Sequence, residues 1–344
     1  MEPLLESTNQ IAFWLPVVWA VVIGIALIMY VILDGFDLGI GILFLAARDE
    51  AERDQMMHAI VPFWDGNEIW LVLSGVGLFV AFPLAYAIIG PAFTLPLILM
   101  VLGLVLRGVA FEFRYALKPH QKFWDRAFAA GSAIAAFCQG AILGRLVLGI
   151  EIENNQFAGG PFDWLSPFAI VCGFGVMAGY ALFGCAWLMI KTDGVVRERA
   201  TRHARVALLL AIVFIAIVSL WTPLANARIA ERWFTWDNFV LLWPVPLLTA
   251  LFGLSAWIGT QTSSGLHVFA ASINLFLLCV TGLAISTYPY IIPPSVTIWQ
   301  AAAVSESQIV MLIATVLLLP LILGYTVYVS LKFRGKMNQA VGNH

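Results

Sequence analysis

The sequence predicts an all-α integral membrane protein with about nine transmembrane helices. Three observations carry this. The 344 residues are 61% hydrophobic and 11% charged, with a mean hydropathy of +0.92, whereas soluble domains average about 25% charged residues. Apolar runs long enough for a span of about 20 residues recur between charged punctuation. Lysine and arginine fall almost entirely in alternate connections, as the positive-inside rule requires.

The predicted spans are approximately 12–47, 57–82, 92–114, 124–148, 164–190, 206–226, 239–260, 267–287 and 308–331. The N-terminus carries Glu2 and Glu6 and no basic stretch. The first apolar segment is therefore expected to be a retained span rather than a cleaved signal. It is overlong, and Gly35, Gly39 and Gly41 favour a bend or a close helix contact. Between the seventh and eighth spans, Gln261-Thr262-Ser263-Ser264-Gly265 reads as a turn. The outer connections 149–163 and 227–238 are too short for a soluble domain. One polytopic domain, 1–344, is expected. Spans one to four and five to eight leave room for two four-helix units, with the ninth outside them.

Cationic residues set the orientation. Arg48, Arg53, Arg114, Lys118, Lys122, Arg126, Lys191, Arg197, Arg199, Arg202, Arg205, Lys332, Arg334 and Lys336 lie in odd-numbered connections or the tail. The opposite side has Arg145, Arg228 and Arg232. The N-terminus is thus expected outside and the C-terminus in the cytoplasm. Trp164, Trp233, Trp236, Trp243 and Trp299 lie near outer span ends, where interfacial anchors belong.

Five ionisable residues break the apolar pattern: Asp34, Asp37, Asp65, Glu68 and Arg107. Each costs roughly 2.5–3.5 kcal/mol at a helix centre, so such residues face a bundle interior or a wet cavity. At 1.5 Å per residue, Asp34 lies about 21 Å from Arg48, Asp65 about 18 Å from Arg53, and Arg107 about 10 Å from Arg114. Three helices thereby bring them to the middle or cytoplasmic half. Asp34 and Asp37, like Asp65 and Glu68, are three apart and share a helix face. Arg107 is the natural counter-ion. Four acids against one cation are unbalanced, which suits carboxyls that carry protons. Asn67, Gln139, Ser74 and water extend such a wire. A salt-bridge network that only fixes helix register and a coupling-cation site are the other readings of the same residues.

Cys138, Cys172, Cys185 and Cys279 sit in apolar runs with no CxxC pair and read as packing residues. His58, His120, His203, His267 and His344 lie at cytoplasmic span ends, in connections or in the tail. No pair is placed to sandwich a haem, and no metal site is expected. A P-loop, a dinucleotide fingerprint and an HExxH motif are absent from the sequence. The chain alone is expected to run no redox chemistry and to contain no catalytic residue.

Leu33-Asp34-Gly35-Phe36-Asp37-Leu38-Gly39, Phe63-Trp64-Asp65-Gly66-Asn67-Glu68-Ile69-Trp70-Leu71 and Arg107-Gly108-Val109-Ala110-Phe111-Glu112-Phe113-Arg114 resemble subunit II of cytochrome bd-type ubiquinol oxidases. Gln139-Gly140, Gly179-Tyr180-Ala181-Leu182 and Ile292-Pro293-Pro294-Ser295-Val296-Thr297-Ile298-Trp299 follow the same pattern. The compact length and short outer connections resemble the branch that includes cyanide-insensitive oxidases. Gln300 departs from the acid often found there.

The resemblance implies two four-helix bundles plus one peripheral helix. It also implies a heterodimer with subunit I, which carries haems b and d and the quinol-oxidising loop. The complex oxidises ubiquinol at the outer face and reduces O₂ to water with cytoplasmic protons, which makes it electrogenic without pumping. Asp65 matches a residue lining the family's proton channel. The family admits a structural quinone or lipid and a small single-span accessory subunit. An independent secondary transporter or cation channel is the competing reading, and it predicts activity without a haem partner.

Overall fold

The computed structural model describes residues 2–336. His344, counted above with the cytoplasmic tail, lies outside them. Helices α1 (Glu2–Leu43), α2 (Glu50–His58), α3 (Trp64–Ala81), α4 (Pro83–Ala92), α5 (Thr94–Ala116) and α6 (Gln121–Leu148) form the first half. Then come α7 (Pro167–Lys191), α8 (Gly194–Ala225), α9 (Ala227–Phe234), α10 (Trp236–Leu242), α11 (Pro244–Gln261) and α12 (Gly265–Thr287). The short α13 (Ile298–Ala301) precedes α14 (Ser305–Lys332). Two antiparallel hairpins lie in outer connections: β1 (Ile152–Glu153) with β2 (Gln156–Phe157), and β3 (Tyr290–Ile292) with β4 (Val296–Thr297).

Eight helical stretches among the described residues are long and apolar enough to cross a membrane. They are Gln10–Ala46, Thr94–Ala116, Lys118–Leu148, Pro167–Lys191, Gly194–Ala225, Trp236–Gln261, Gly265–Thr287 and Ser305–Lys332. The second predicted segment, 57–82, is not one helix. The chain turns over 59–63, where Pro62 removes an amide donor and disfavours helix at Val61. Helix α3 then runs 18 residues, with Asp65, Asn67 and Glu68 in its first turns. Those polar residues keep it out of the apolar set.

Other boundaries moved for local reasons. Helix α8 starts at Gly194 rather than near 206, so Arg197, Arg199, Arg202 and Arg205 ride on a helical extension. Arginine is a good helix former and needs no loop. The segment 239–260 is broken at Trp243, because Pro244 starts a new helix. The turn at 262–264 separates α11 from α12, with Ser263 at φ 52°.

Glycines bring the polar helices together. A Cβ on Gly39 would sit 1.8 Å from the Tyr180 carbonyl oxygen, so α1 and α7 cross backbone to backbone. A Cβ on Gly103 would sit 2.7 Å from the Gly131 carbonyl, which fixes α5 on α6 the same way. Small residues permit this close approach between membrane helices. Helix α1 also packs on α3 and α6, and α6 on α7. Helix α14 has its main contacts with α1 and α3. A second layer joins α7, α8, α11 and α12.

Aromatic packing closes the interior beside this crossing. Phe36 stacks on Trp187 with ring centroids 4.1 Å apart. Trp164, expected as an interfacial anchor, is instead buried with Ile150, Ile292 and Ile298. Its neighbouring hairpins cover it. Trp236 and Trp243 are exposed, as anchors are.

Candidate functional site

Three helices converge on Arg107. Its Nη1 donates to Asp34 Oδ1 at 2.7 Å, and its Nη2 donates to Glu68 Oε1. Asp34 and Asp37 come from α1, Asn67 and Glu68 from α3, and Arg107 from α5. Asp34, Asp37 and Arg107 have no exposed surface. Asn67 Nδ2 donates to Asp37 Oδ2 at 2.7 Å and to the Leu33 carbonyl at 2.9 Å. The amide thus ties α3 to α1 at the Asp37 turn.

The cluster has a closed side and an open one. The Glu68 side chain is 33% exposed, while the Asp34 side chain is 0% exposed. Asp65 is exposed on the first turn of α3. It does not enter the Arg107 network: Arg107, expected as a counter-ion within the cluster, pairs with Asp34 and Glu68, and Asp65 stays apart from them. The reason is helical geometry. Asn67 points at α1, and Asp65, two residues earlier, falls on the opposite side of the helix. Glu68 lies between these directions, half in and half out.

Ser74 also stays outside the cluster, bonding the Trp70 carbonyl of its own helix. Gln139 does join a polar chain. Its Nε2 donates to the Tyr30 hydroxyl at 2.8 Å, and the Tyr180 hydroxyl donates to its Oε1 at 2.7 Å. Tyr30 and Tyr180 were not legible as site residues. For Tyr30 the signal was spacing, one turn before Asp34, and Tyr180 stands in one of the motifs quoted above.

A second ionic network closes one end of the helices. Arg114 on α5 donates to Asp125 at 2.7 Å and to Asp54 at 2.5 Å. Arg199 pairs with Glu52, which ties α8 to α2. Sequence reading counted Arg114 only as a peripheral cation, yet it is fully buried. Its signal was Asp125, placed across a short connection from it.

Among the described residues, no three His, Cys, Asp or Glu side chains are arranged to hold a metal ion. His267 bonds Ser255 at 2.9 Å, and His58 lies beside Tyr115. Gln300 completes a capping box with Thr297, a local structural role for this side chain.

Comparison with known proteins decides the family. Residues 15–333 match the family described as cytochrome bd terminal oxidase subunit II. The chain belongs to it. The cytochrome bd-I ubiquinol oxidase subunit 2 of Escherichia coli is 28% identical over 361 residues, covering 94% of this chain and 95% of that protein. The cytochrome bd ubiquinol oxidase subunit 2 of Bacillus subtilis is 27% identical over 331 residues, covering 93% and 96%. The bd oxidase structure from Geobacillus thermodenitrificans shares the fold, with a TM-score of 0.75 at 19% identity over 93% of this chain and 98% of that one.

This subunit II is therefore part of a cytochrome bd quinol oxidase, an oxidoreductase complex of respiratory electron transport. It is a multi-pass protein of the bacterial inner membrane. Such a complex has a subunit I, which carries the haems of the family.

Proposed function

We propose that this chain is the haem-free subunit II of a terminal quinol:O₂ oxidoreductase. It supports assembly with the haem-carrying subunit I and lines a cytoplasmic proton-uptake path for the reduction of O₂ to water. The observation that carries the reading is the graded exposure of its acids. Asp65 is exposed, Glu68 lies one turn further along the same helix and is 33% exposed, and Asp34 beyond Arg107 is 0% exposed. A carboxyl at the surface exchanges protons with water. Its neighbour one helical turn away, beside a fixed cation, extends the polar route inward. Haems b and d belong to subunit I, where oxygen chemistry takes place. Ubiquinol is the electron donor by analogy with the relatives.

In this reading the nine spans are two four-helix bundles with α14 outside them, within one membrane domain. The exposed face of α14, with Leu317 and Leu321 both more than two-thirds exposed, suits subunit I. A structural quinone, a lipid or a small accessory subunit suits the remaining apolar faces. The N-terminus lies outside and the C-terminus in the cytoplasm. The cationic split supports this, because Arg197, Arg199, Arg202 and Arg205 extend from the same membrane side as Arg114. A reporter fused after His344 is expected to be active only if it is a cytoplasmic reporter. A periplasmic signal would reverse the topology.

The haem assignment has its own test. Expressed without subunit I, the chain is expected to show no Soret band, because its sequence places no histidine pair at mid-membrane. Stoichiometric haem retained by the isolated chain would overturn it. Oxidase turnover of Asp65→Asn, normalised to haem, tests the proton path. The competing reading of the cluster, a register lock only, draws on the two ion pairs of Arg107. It predicts that this variant turns over normally.

A further inference from the structure

The C-terminal end of α14 is held by a lysine that the proposed path does not use. Among the described residues of α14, Gln308 and Thr315 are the buried ones, so its placement depends on its ends. At the C-terminal end, Lys191 Nζ donates to the Phe333 carbonyl at 2.7 Å and to the Gly335 carbonyl at 3.4 Å. Lys191 is the last residue of α7 and is 5% exposed. A helix leaves its last carbonyls without partners and carries partial negative charge there. A buried ammonium answers both. Two residues further on, Asp193 pairs with Lys336, a second tie to the same stretch.

The same ammonium faces the start of α3. Lys191 Nζ lies 5.3 Å from the centroid of the Phe63 ring and 5.0 Å from that of Trp187. A cation over an aromatic face is attracted by the ring quadrupole, more strongly where water is excluded. Trp187 meets Phe63 edge-on at 5.4 Å and donates through Nε1 to the Ala59 carbonyl at 2.9 Å. The Phe333 ring closes the group, 6.1 Å from Phe63. Phe63 directly precedes α3, and Asp65 lies on its first turn. A Cβ on Gly66 would sit 2.9 Å from the Tyr325 ring, so α14 rests on the backbone next to Asp65.

The geometry points to Lys191 as a positioning residue for Asp65, seating the first turn of α3 between the ends of α7 and α14. The break at 59–63 is what calls for such a clamp. A helix that starts after a turn has no preceding helical turn to fix its rotation. That rotation sets Asp65 outside and brings Glu68 to Arg107. Helix α7 supplies the reference: Trp187 holds the turn at Ala59, and Lys191 holds it at Phe63. Tyr325 bears on Gly66 from α14, whose end Lys191 fixes at Phe333. The effect on turnover rests on the proposed proton path through Asp65.

The test uses the assembled oxidase with subunit I and reads turnover per haem. Lys191→Met keeps most of the stem and removes the ammonium. Its turnover is expected to fall about tenfold, with the KM for ubiquinol within about twofold, as for a displaced transfer group. Lys191→Arg is expected to recover about half of the rate or more, because a guanidinium also stacks on aromatic rings and donates to carbonyls. In the Asp65→Asn background, Lys191→Met is expected to add less than about twofold, because both changes act on one step. Lys191→Gln keeps a donor for the Phe333 carbonyl and carries the test if Lys191→Met does not assemble.

A lysine that merely ties α14 in place would lower complex yield and leave turnover per haem unchanged. Unchanged turnover in Lys191→Met, or in Lys191→Gln where that variant alone assembles, overturns the inference. So does an equal loss with Asp65 present and in the Asp65→Asn background, which would make the two residues independent. Both results leave the proton path standing when Asp65→Asn by itself is slow. Normal turnover in Asp65→Asn removes the proton path, and the positioning role with it.

Discussion

Asp65→Asn is expected to yield an assembled, haem-replete oxidase with strongly reduced quinol-dependent O₂ consumption. The substitution keeps the shape of the side chain and most of its hydrogen bonding, and it removes the titratable proton. Assembly should survive, because Asp65 is exposed on the first turn of α3 and makes none of the buried ion pairs. General acid–base groups contribute typically 10²–10⁴-fold, so a loss on the order of 10²-fold is the expected scale if uptake becomes limiting. Asp65→Glu should retain more, since the acid survives at a slightly displaced position. Glu68 and Asp34 should give smaller or mixed effects, because both also anchor Arg107. The measurement is turnover per haem across pH 6–9. Wild-type rates in the Asn variant would make Asp65 a surface residue and send the protons elsewhere.

Arg107→Leu is expected to lower the yield and the thermal stability of the complex sharply. Arg107 is fully buried between a fully buried Asp34 and a partly exposed Glu68. Removing one partner of a buried pair costs on the order of 3–5 kcal/mol, because the charge left behind is neither solvated nor paired. Here two carboxylates lose their partner at once. Glu68 can turn to water, and Asp34 cannot. Arg107→Lys should rescue only in part. One ammonium on a flexible stem does not reproduce the two nitrogens that face Asp34 and Glu68 separately. Yield and thermal stability equal to wild type in the Leu variant would show the cluster to be hydrated and loosely coupled.

Much of this protein was legible in its sequence, and the reason is the bilayer. Hydrocarbon forces each backbone polar group to be satisfied inside its own segment, so long apolar runs become helices. That one constraint predicts the positions of α5, α6, α7, α12 and α14 to within a few residues. The same solvent makes every charge at depth expensive, which singled out Asp34, Asp37, Asp65, Glu68 and Arg107 before any contact was known. The motif DGFDLG with WDGNE and the Arg107 block identified the family for a chemical reason as well. Those blocks hold the acids, the arginine and the glycine that lets α1 meet α7.

What the sequence left open was decided by rotation and proximity. Depth along a helix is a count of residues, but facing is an angle set by packing. Asp65 and Glu68 stand three residues apart on one helix, yet one is outside and the other pairs with Arg107. Tyr30, Gln139 and Tyr180 are separated by 109 and 41 positions along the chain. Only the crossing of α1, α6 and α7 makes them one hydrogen-bonded chain. Arg114 has the sequence appearance of a headgroup cation, and the fold of α2 and α6 around it turns it into a buried ionic core. Composition and hydropathy determined which segments are helices and which residues are costly there. The tertiary structure alone determined which of those residues meet, because contact between helices depends on where their small residues allow the backbones to touch.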